Sequence, residues 1–271
     1  MNHFYIKQVG QDEIDFTQRL PSLVYLDGTF TPNFINSYQD NVGTDGCQLT
    51  SVAFGKGTFV ANFFMPATDY REHQLMRHEF YRQFAQRPLL RVRTSDDPDK
   101  CFYGRPVSFP MDSMADGNND FKIQLTFEVP SGFMYSVQRS DQVSDGSFGM
   151  NLVGMSPSYV HSEREFIIYN ASDIQVDPYY QRHDLKISMI IDGPITITNR
   201  TNGTHWSYKG KLPGQTKIVL DGLVTYKNGK QDSLNSDFGF IQLETGENDI
   251  VVSGTATNHE LTFSFPFLYL S

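Results

Sequence analysis

The second half of this chain offers short strand-length runs and almost nothing else. From Glu165 onward, apolar or alternating stretches at 166–169, 185–191, 195–199, 217–220, 224–226, 241–243, 250–252 and 261–270 follow one another. Turn residues break the series at Asp192-Gly193-Pro194, Asp221-Gly222, Asn228-Gly229, Gly246 and Gly254. In Thr201-Asn202-Gly203-Thr204, the Asn-Gly step suits a hairpin turn of type I′, whose central residues need positive φ. No stretch here keeps a helical period. Short strands punctuated this densely predict an antiparallel β-sandwich.

The first half mixes strands with one helix. Phe121–Val129 alternates without a break, with Phe, Ile, Leu, Phe and Val on one side and Lys, Gln, Thr and Glu on the other. That is a half-buried strand, and Pro130 ends it. Residues 59–65 form an apolar run of strand length, preceded by Gly55-Lys56-Gly57, read as a turn, and stopped by Pro66. Gly43-Thr44-Asp45-Gly46 reads as another turn. Strand-like stretches follow at 89–93, 101–105 and 107–109, and 114–119 reads as a polar loop around Gly117. Between them, Asp69 followed three residues later by Glu72 starts a helix that runs toward Arg87 and stops before Pro88. Met76, Phe80 and Phe84 share one of its faces, which predicts a helix lying across a sheet.

Residues 137–162 lose all periodicity and are rich in Ser, Gln, Asp, Gly and Met, so the domain boundary is expected among them. A length of 271 residues suits two domains. Aromatic residues reach 14%, with 22 Phe and 14 Tyr, which suits pleated, half-buried surfaces. No internal repeat stands out.

Charge and cysteine content narrow the function. Lys and Arg total 22 against 31 Asp and Glu, a net charge of −9. The acidic excess is shared: 13 basic and 18 acidic residues up to position 150, then 9 and 13. No domain is basic, which argues against general nucleic-acid binding. Cys47 and Cys101 are the only cysteines, too few for a disulfide scaffold and too far apart for a zinc site. Two free thiols and an N-terminus without a signal-like apolar stretch predict folding in a reducing cytoplasm. No window approaches the roughly 20 apolar residues of a membrane-spanning helix.

Motifs for chemistry are missing. There is no phosphate loop, dinucleotide fingerprint, nucleophile elbow or His-Glu-x-x-His. Gly55-Lys56-Gly57-Thr58 lacks the upstream glycine that a phosphate loop needs. His73 and His78 are five apart and diverge on a helix, and His3, His161, His183, His205 and His259 are scattered. Asp96, Asp97 and Asp99 lack the downstream Glu of a calcium loop and read as a charged turn. Arg71, Arg77, Arg82, Arg87, Arg91 and Arg93 either form a basic patch for an acidic partner or DNA conduit, or cover a solvated face balanced by Asp69, Glu72 and Glu79. Trp206, the only tryptophan, stacks on a sugar or protein if exposed; half-buried at a sandwich edge, it is packing. No catalytic, cofactor-binding or metal-ligating residue is therefore assigned, and no cofactor is expected.

The order of these pieces resembles the distal tail proteins of long-tailed, non-contractile bacteriophages. The resemblance rests on the Gly43–Gly46 segment before the strand leading into 59–65, the Arg-containing helix after Pro66, the strand pair at 89–93 and 102–105 ending in Tyr103-Gly104-Arg105, and the closing strand Phe121–Val129. In the second half, Ile197-Thr198-Asn199-Arg200-Thr201-Asn202-Gly203 looks like the family's Thr-Asn-x-Thr-x-Gly turn. Leu220-Asp221-Gly222, the 243–250 stretch and the final 265–270 strand also fit.

The resemblance implies a mainly β protein: a tail-tube-like β-sandwich with one α-helix over 1–140, a linker over 141–162, and a galectin-like antiparallel β-sandwich over 163–271. It implies a structural, non-enzymatic virion protein, assembled in the host cytoplasm and sited at the tail tip. There it would form a hexameric hub with a central channel for DNA in transit. The hub's partners would be the tail-tube protein, a tail-tip protein and, at its rim, receptor-binding proteins, with no membrane insertion. A carbohydrate-binding adhesion protein is the alternative, motivated by Trp206 and the second sandwich.

Overall fold

Alternation of buried and exposed side chains is the organising feature of the computed structural model, which describes residues 2–20, 22–43, 45–85, 87–113, 119–143 and 150–271. Positions 114–118 of the polar loop read at 114–119, part of the turn at Gly43–Gly46, and positions 144–149 of the aperiodic stretch lie outside the described residues. The chain divides into two compact units: Met1–Tyr135 with Leu270–Ser271, and Ser136–Tyr269. It is mainly β, with few helices.

The first unit contains β1 (Phe4–Lys7), β2 (Ile14–Asp15), α1 (Phe16–Arg19), β3 (Val24–Asp40), β4 (Cys47–Met65), α2 (Tyr70–Phe84), β5 (Leu90–Thr94), β6 (Lys100–Pro106) and β7 (Phe121–Val129). Its strands run in the order β2-β1-β5-β6-β7-β4-β3, all antiparallel. β7 has the bounds its alternation predicts, with Phe121, Ile123, Leu125, Phe127 and Val129 fully buried. The phenylalanines close the core: Phe4 meets Phe63 edge-on at 5.1 Å, and Phe59 lies 4.6 Å from Phe102. Burying such a ring contributes about 1.5–3 kcal/mol.

α2 begins where the capping pattern places it. The Asp69 carboxylate accepts from the backbone N–H of Arg71 and Glu72, and Glu72 reaches back to the N–H of Thr68. Phe80 and Phe84 are buried, and Phe80 packs on Phe63 of β4, so the helix does cover the sheet. It stops at Phe84, short of Arg87. His73 joins the buried face, stacked 3.9 Å from Phe121. α1 is too short to show a period; Asp15 caps it by accepting from Thr17 N and Gln18 N.

Two readings of the first half are corrected. Gly55-Lys56-Gly57 is not a turn but lies within β4. Those glycines mark close approach: a Cβ at Gly55 would sit 2.6 Å from Ile35, and one at Gly57 would sit 2.8 Å from the ring of Phe30. Residues 107–109 are not a strand; the pairing of β6 ends at Pro106.

Across the boundary of the two units runs β8 (Met134–Arg139). The second unit continues with β9 (Val160–His161), β10 (Glu165–Asn170), β11 (Lys186–Ile191), β12 (Ile195–Asn199), β13 (His205–Tyr208), β14 (Thr216–Asp221), β15 (Val224–Lys227), β16 (Lys230–Gln231), β17 (Gly246–Gly254), β18 (His259–Ser264) and β19 (Pro266–Tyr269). One sheet has the order β10-β17-β12-β13, another β16-β15-β14-β11-β18-β9, and among the described residues the paired strands in both run antiparallel. Met150, Leu152 and Tyr159, from the aperiodic stretch, are buried in this unit.

The Asn-Gly rule works here, though not where it was applied. Asn228 and Gly229 both take positive φ, 47° and 79°, between β15 and β16, whereas in the Asn202-Gly203 turn only Gly203 does, at 78°. Residues 241–243 are not a strand. Leu243 makes a single antiparallel bridge to Val176.

Asparagines knot this unit from inside. Asn199 and Asn248 are fully buried, and Asn170 nearly so. Asn248 accepts from Asn199 Nδ2 at 2.9 Å and Glu244 N at 2.8 Å, and donates to the carbonyls of Glu244 and Gly246. The Thr-Asn turn that follows β12 is thus tied to the loop before β17.

At the turn between β11 and β12, Asp192 accepts from Thr257 N, Thr257 Oγ1, Asn258 N and Asn258 Nδ2. These hydrogen bonds, led by the Thr257 hydroxyl, favour the carboxylate and hold its pKa at about 2 against an ordinary 3.8. A depressed carboxylate pKa stabilises the fold above the unfolded value and loses that contribution as pH falls through the folded one. Carbon-detected NMR titration should therefore place the Asp192 midpoint near 2, with the stabilisation fading between pH 3.8 and 2. A midpoint at the ordinary value would contradict the contacts.

Candidate assembly surface

β3 and β4 are far longer than the sheet that holds them. β7 pairs with β4 only from Gly57 to Met65, so beyond Gly57 the two strands continue as an isolated ribbon, Asn33–Asp40 against Cys47–Gly55. A two-stranded ribbon is marginally stable alone in water, and among the described residues neither of its edges here is paired further.

The register shows which face the ribbon presents. Phe30 pairs with Phe59 on the core side of the sheet. Between Thr31↔Thr58 and Asn33↔Gly55, Lys56 and Gly57 stand opposite Pro32, a β-bulge on an edge strand, where proline is tolerated. The bulge keeps the sides in phase, so Phe34↔Phe54, then Val52 opposite Asn36, fall on the side of Phe30 and Phe59. A second irregularity, at Thr50, carries the same side on to Tyr38↔Leu49. The opposite side holds Ile35, Ser37 and Gln39 facing Ala53, Ser51 and Gln48.

Among the described residues, the apolar side of the sheet thus runs on past its own core and stays largely in water. Phe34 is 56% exposed, Tyr38 60%, Leu49 52% and Val52 57%. Phe34 and Phe54 touch at 5.7 Å, which stiffens the arm without hiding it. No side chain in 33–39 or 48–55 carries charge. Such a face serves a partner or becomes a liability.

The residues singled out in the sequence scatter elsewhere. Arg91 and Arg93 both reach Glu13, and Arg93 also lies 4.0 Å over the ring of Tyr5. Arg82 pairs with Glu79, and Arg77 stands over Tyr81. Only the Arg82–Glu79 pair follows the solvated-face reading; Arg91 and Arg93 are mostly buried and are neutralised by Glu13 instead. Lys56 pairs with Glu128. Asp96 accepts from the Tyr25 hydroxyl and Asp97 pairs with Lys100. Among the described residues no group of three His, Cys, Asp or Glu is arranged for a metal ion, and no helix is long and apolar enough to cross a membrane. Both cysteines are free thiols; Cys101 is buried, and Cys47 is exposed at the far end of the arm.

Trp206 follows the packing reading and is buried even more deeply than that reading expects. It is fully buried, its indole N–H donates to Thr225 Oγ1 at 3.1 Å, and it stacks on Tyr208. It packs the core and offers no surface for a ligand. The arm was missed because the glycines at 43–57 read as punctuation; the available signal was Phe34, Tyr38, Leu49 and Val52 in a stretch nearly free of charge.

Comparison with known proteins bears on this geometry. Residues 11–127 match the family described as phage tail protein RIFT-related domain. The fold is similar to the crystal structure of the SPP1 Dit (gp 19.1) protein, described as a paradigm of the hub adsorption apparatus in phages infecting Gram-positive hosts. The TM-score is 0.70 at 10% identity, covering 97% of this chain and 99% of that one. Chains of the phage p2 baseplate in its activated conformation, with strontium and with calcium, give TM-scores of 0.47 and 0.45 at 8% and 9% identity. They cover 97% and 98% of this chain and 98% of each of those. No curated protein sequence matches.

Proposed function

We infer that this chain, a phage tail protein of the RIFT-related domain family by its residues 11–127, is the hub at the end of the tail and closes into a hexameric ring. It is a structural virion protein with the fold of a distal tail protein. The reading beyond that rests chiefly on the arm. A ribbon with two open edges and one bare apolar face needs a neighbour, and a second copy offers the same edges and face. Contacts between unlike surfaces of identical chains close into a ring when the rotation permits.

In this reading the first unit is a tail-tube-like β-sandwich that lines a channel for DNA and stacks on the last ring of the tail tube. The second is a galectin-like sandwich that faces outward and carries tail-tip and receptor-binding proteins. Assembly takes place in the host cytoplasm. The likeness in fold to the SPP1 hub protein supports a place in a tail hub. The adhesion alternative loses its main support with the burial of Trp206.

Negative-stain imaging of the purified protein tests the proposal. Six-fold rings with a central hole are expected. Single particles of one chain, unchanged when the tail-tube protein is added, would contradict it.

A further inference from the structure

The second unit buries most of its rings, yet leaves three in water. Among its described residues, Tyr179 is 50% exposed, Tyr180 75% and Phe238 66%, while Trp206, Tyr208, Phe263, Phe265 and Phe267 are buried. Tyr179 lies flush against Phe240, 4.9 Å between centroids and 11° between planes, and Tyr180 stands perpendicular to Tyr179 at 4.7 Å. Phe238 is two residues from Phe240 in the same segment.

The display is rigid. Asp177 Oδ1 accepts from the backbone N–H of Tyr179 and Tyr180 at 2.8 and 3.0 Å, and the Asp177 carbonyl accepts from His183 N. Val176 and Leu243 exchange both backbone hydrogen bonds, tying the two ring-bearing segments together. Asp237 accepts from Ser207 N, Ser207 Oγ and Gly239 N. Phe238 is held at φ 59°, a conformation non-glycine residues seldom adopt. Backbone strain that exposes an aromatic ring does nothing for the core.

Size and chemistry narrow the ligand. Rings of this kind bury about 150–250 Å² when fully covered, so the three together offer about 400 Å². A specific protein interface takes about 800 Å² from each partner. The rings alone therefore supply about half of what a protein partner needs, which favours a small ligand. The stretches Tyr179-Tyr180 and Phe238-Gly239-Phe240 carry no charge. Neither tyrosine hydroxyl has a partner among the described residues, and the paired amides of Gln175 and Gln242, 3.1 Å apart, join the same two segments. Ring faces carry negative potential that attracts polarised C–H groups, while hydroxyl and amide groups suit sugar hydroxyls.

We propose that the Tyr179–Tyr180–Phe240 cluster, flanked by Phe238, binds a neutral saccharide by stacking. The site goes beyond the hub function and does not depend on ring closure. Saturation-transfer NMR on the full chain, with tetrasaccharides of N-acetylglucosamine, glucose and rhamnose as probes, tests it. Transfer from aromatic protons to at least one probe is expected, weakened at least about tenfold in a Tyr179→Ala/Tyr180→Ala variant. Trp206 emission, from a buried ring, reports whether that variant folds; Tyr180→Ala alone is the milder second variant. A variant with a disabled arm should bind sugar as the wild type does, so failure of the hub reading leaves this result legible. No transfer from any probe, equal binding by both tyrosine variants, or loss only of a protein partner overturns the proposal.

Discussion

Phe34→Thr, Tyr38→Thr, Leu49→Thr and Val52→Thr together are expected to leave the chain folded and to abolish its assembly. All four side chains lie on one side of the arm and more than half of each is in water. Removing them therefore costs the single chain little, since exposed substitutions usually shift stability by less than about 0.5 kcal/mol each. Threonine is β-branched and suits a strand. In the assembly the same four would lose their remaining exposure. Fully burying such a side chain contributes about 1.5–3 kcal/mol, so covering the exposed half of four contributes about 3–6 kcal/mol. Association should weaken by at least about a hundredfold, and by more where each copy makes two such contacts. Analytical ultracentrifugation checks this, with near-ultraviolet dichroism as the test of folding. Unaltered sedimentation of the variant would show that the arm is not the joint.

Asn248→Leu should be the most damaging single change in the second unit. The leucine is close in size, so the loss is one of hydrogen bonds rather than volume. Without its amide, Asn199 Nδ2 and the backbone N–H of Glu244 each lose an acceptor, and the carbonyls of Glu244 and Gly246 lose a donor. Asn199 keeps the carbonyl of Gln242, which limits the damage there. An unsatisfied buried polar group costs about 1–3 kcal/mol, so a total near 4 kcal/mol is expected. In urea the transition of the second unit should move to lower concentration with its slope unchanged, while that of the first stays put. A shift below about 1 kcal/mol would mean that water or rearranged loops replace the asparagine.

Where a local rule had no competitor, the sequence was legible. The Phe121–Val129 alternation gave β7 its bounds because one face of that strand is buried and the other is not. Asp69 and Glu72 announced α2 because a helix start needs acceptors for its first N–H groups. The turn-broken second half yielded most of its strands for the same reason. Failures came where one residue type serves two purposes. Gly55 and Gly57 read as a turn, yet they make room for Ile35 and Phe30 across a continuous ladder. Misreading them cut a 19-residue strand in two and hid the arm. Trp206 carried no periodic signal in a four-residue strand, so its complete burial needed the sheet around it. The saccharide platform was equally invisible, because Tyr179 and Phe240, far apart in sequence, are brought together by the Val176–Leu243 bridge and the Gln175–Gln242 amide pair.

The account stands or falls on whether identical chains join through the arm. Native mass spectrometry of the purified wild-type protein, across a concentration series and beside the four-threonine variant, reads this directly. The account predicts a hexamer that grows with concentration for the wild type and a single chain for the variant. A wild-type protein that remains a single chain at every concentration, or a variant that still forms the hexamer, would contradict it.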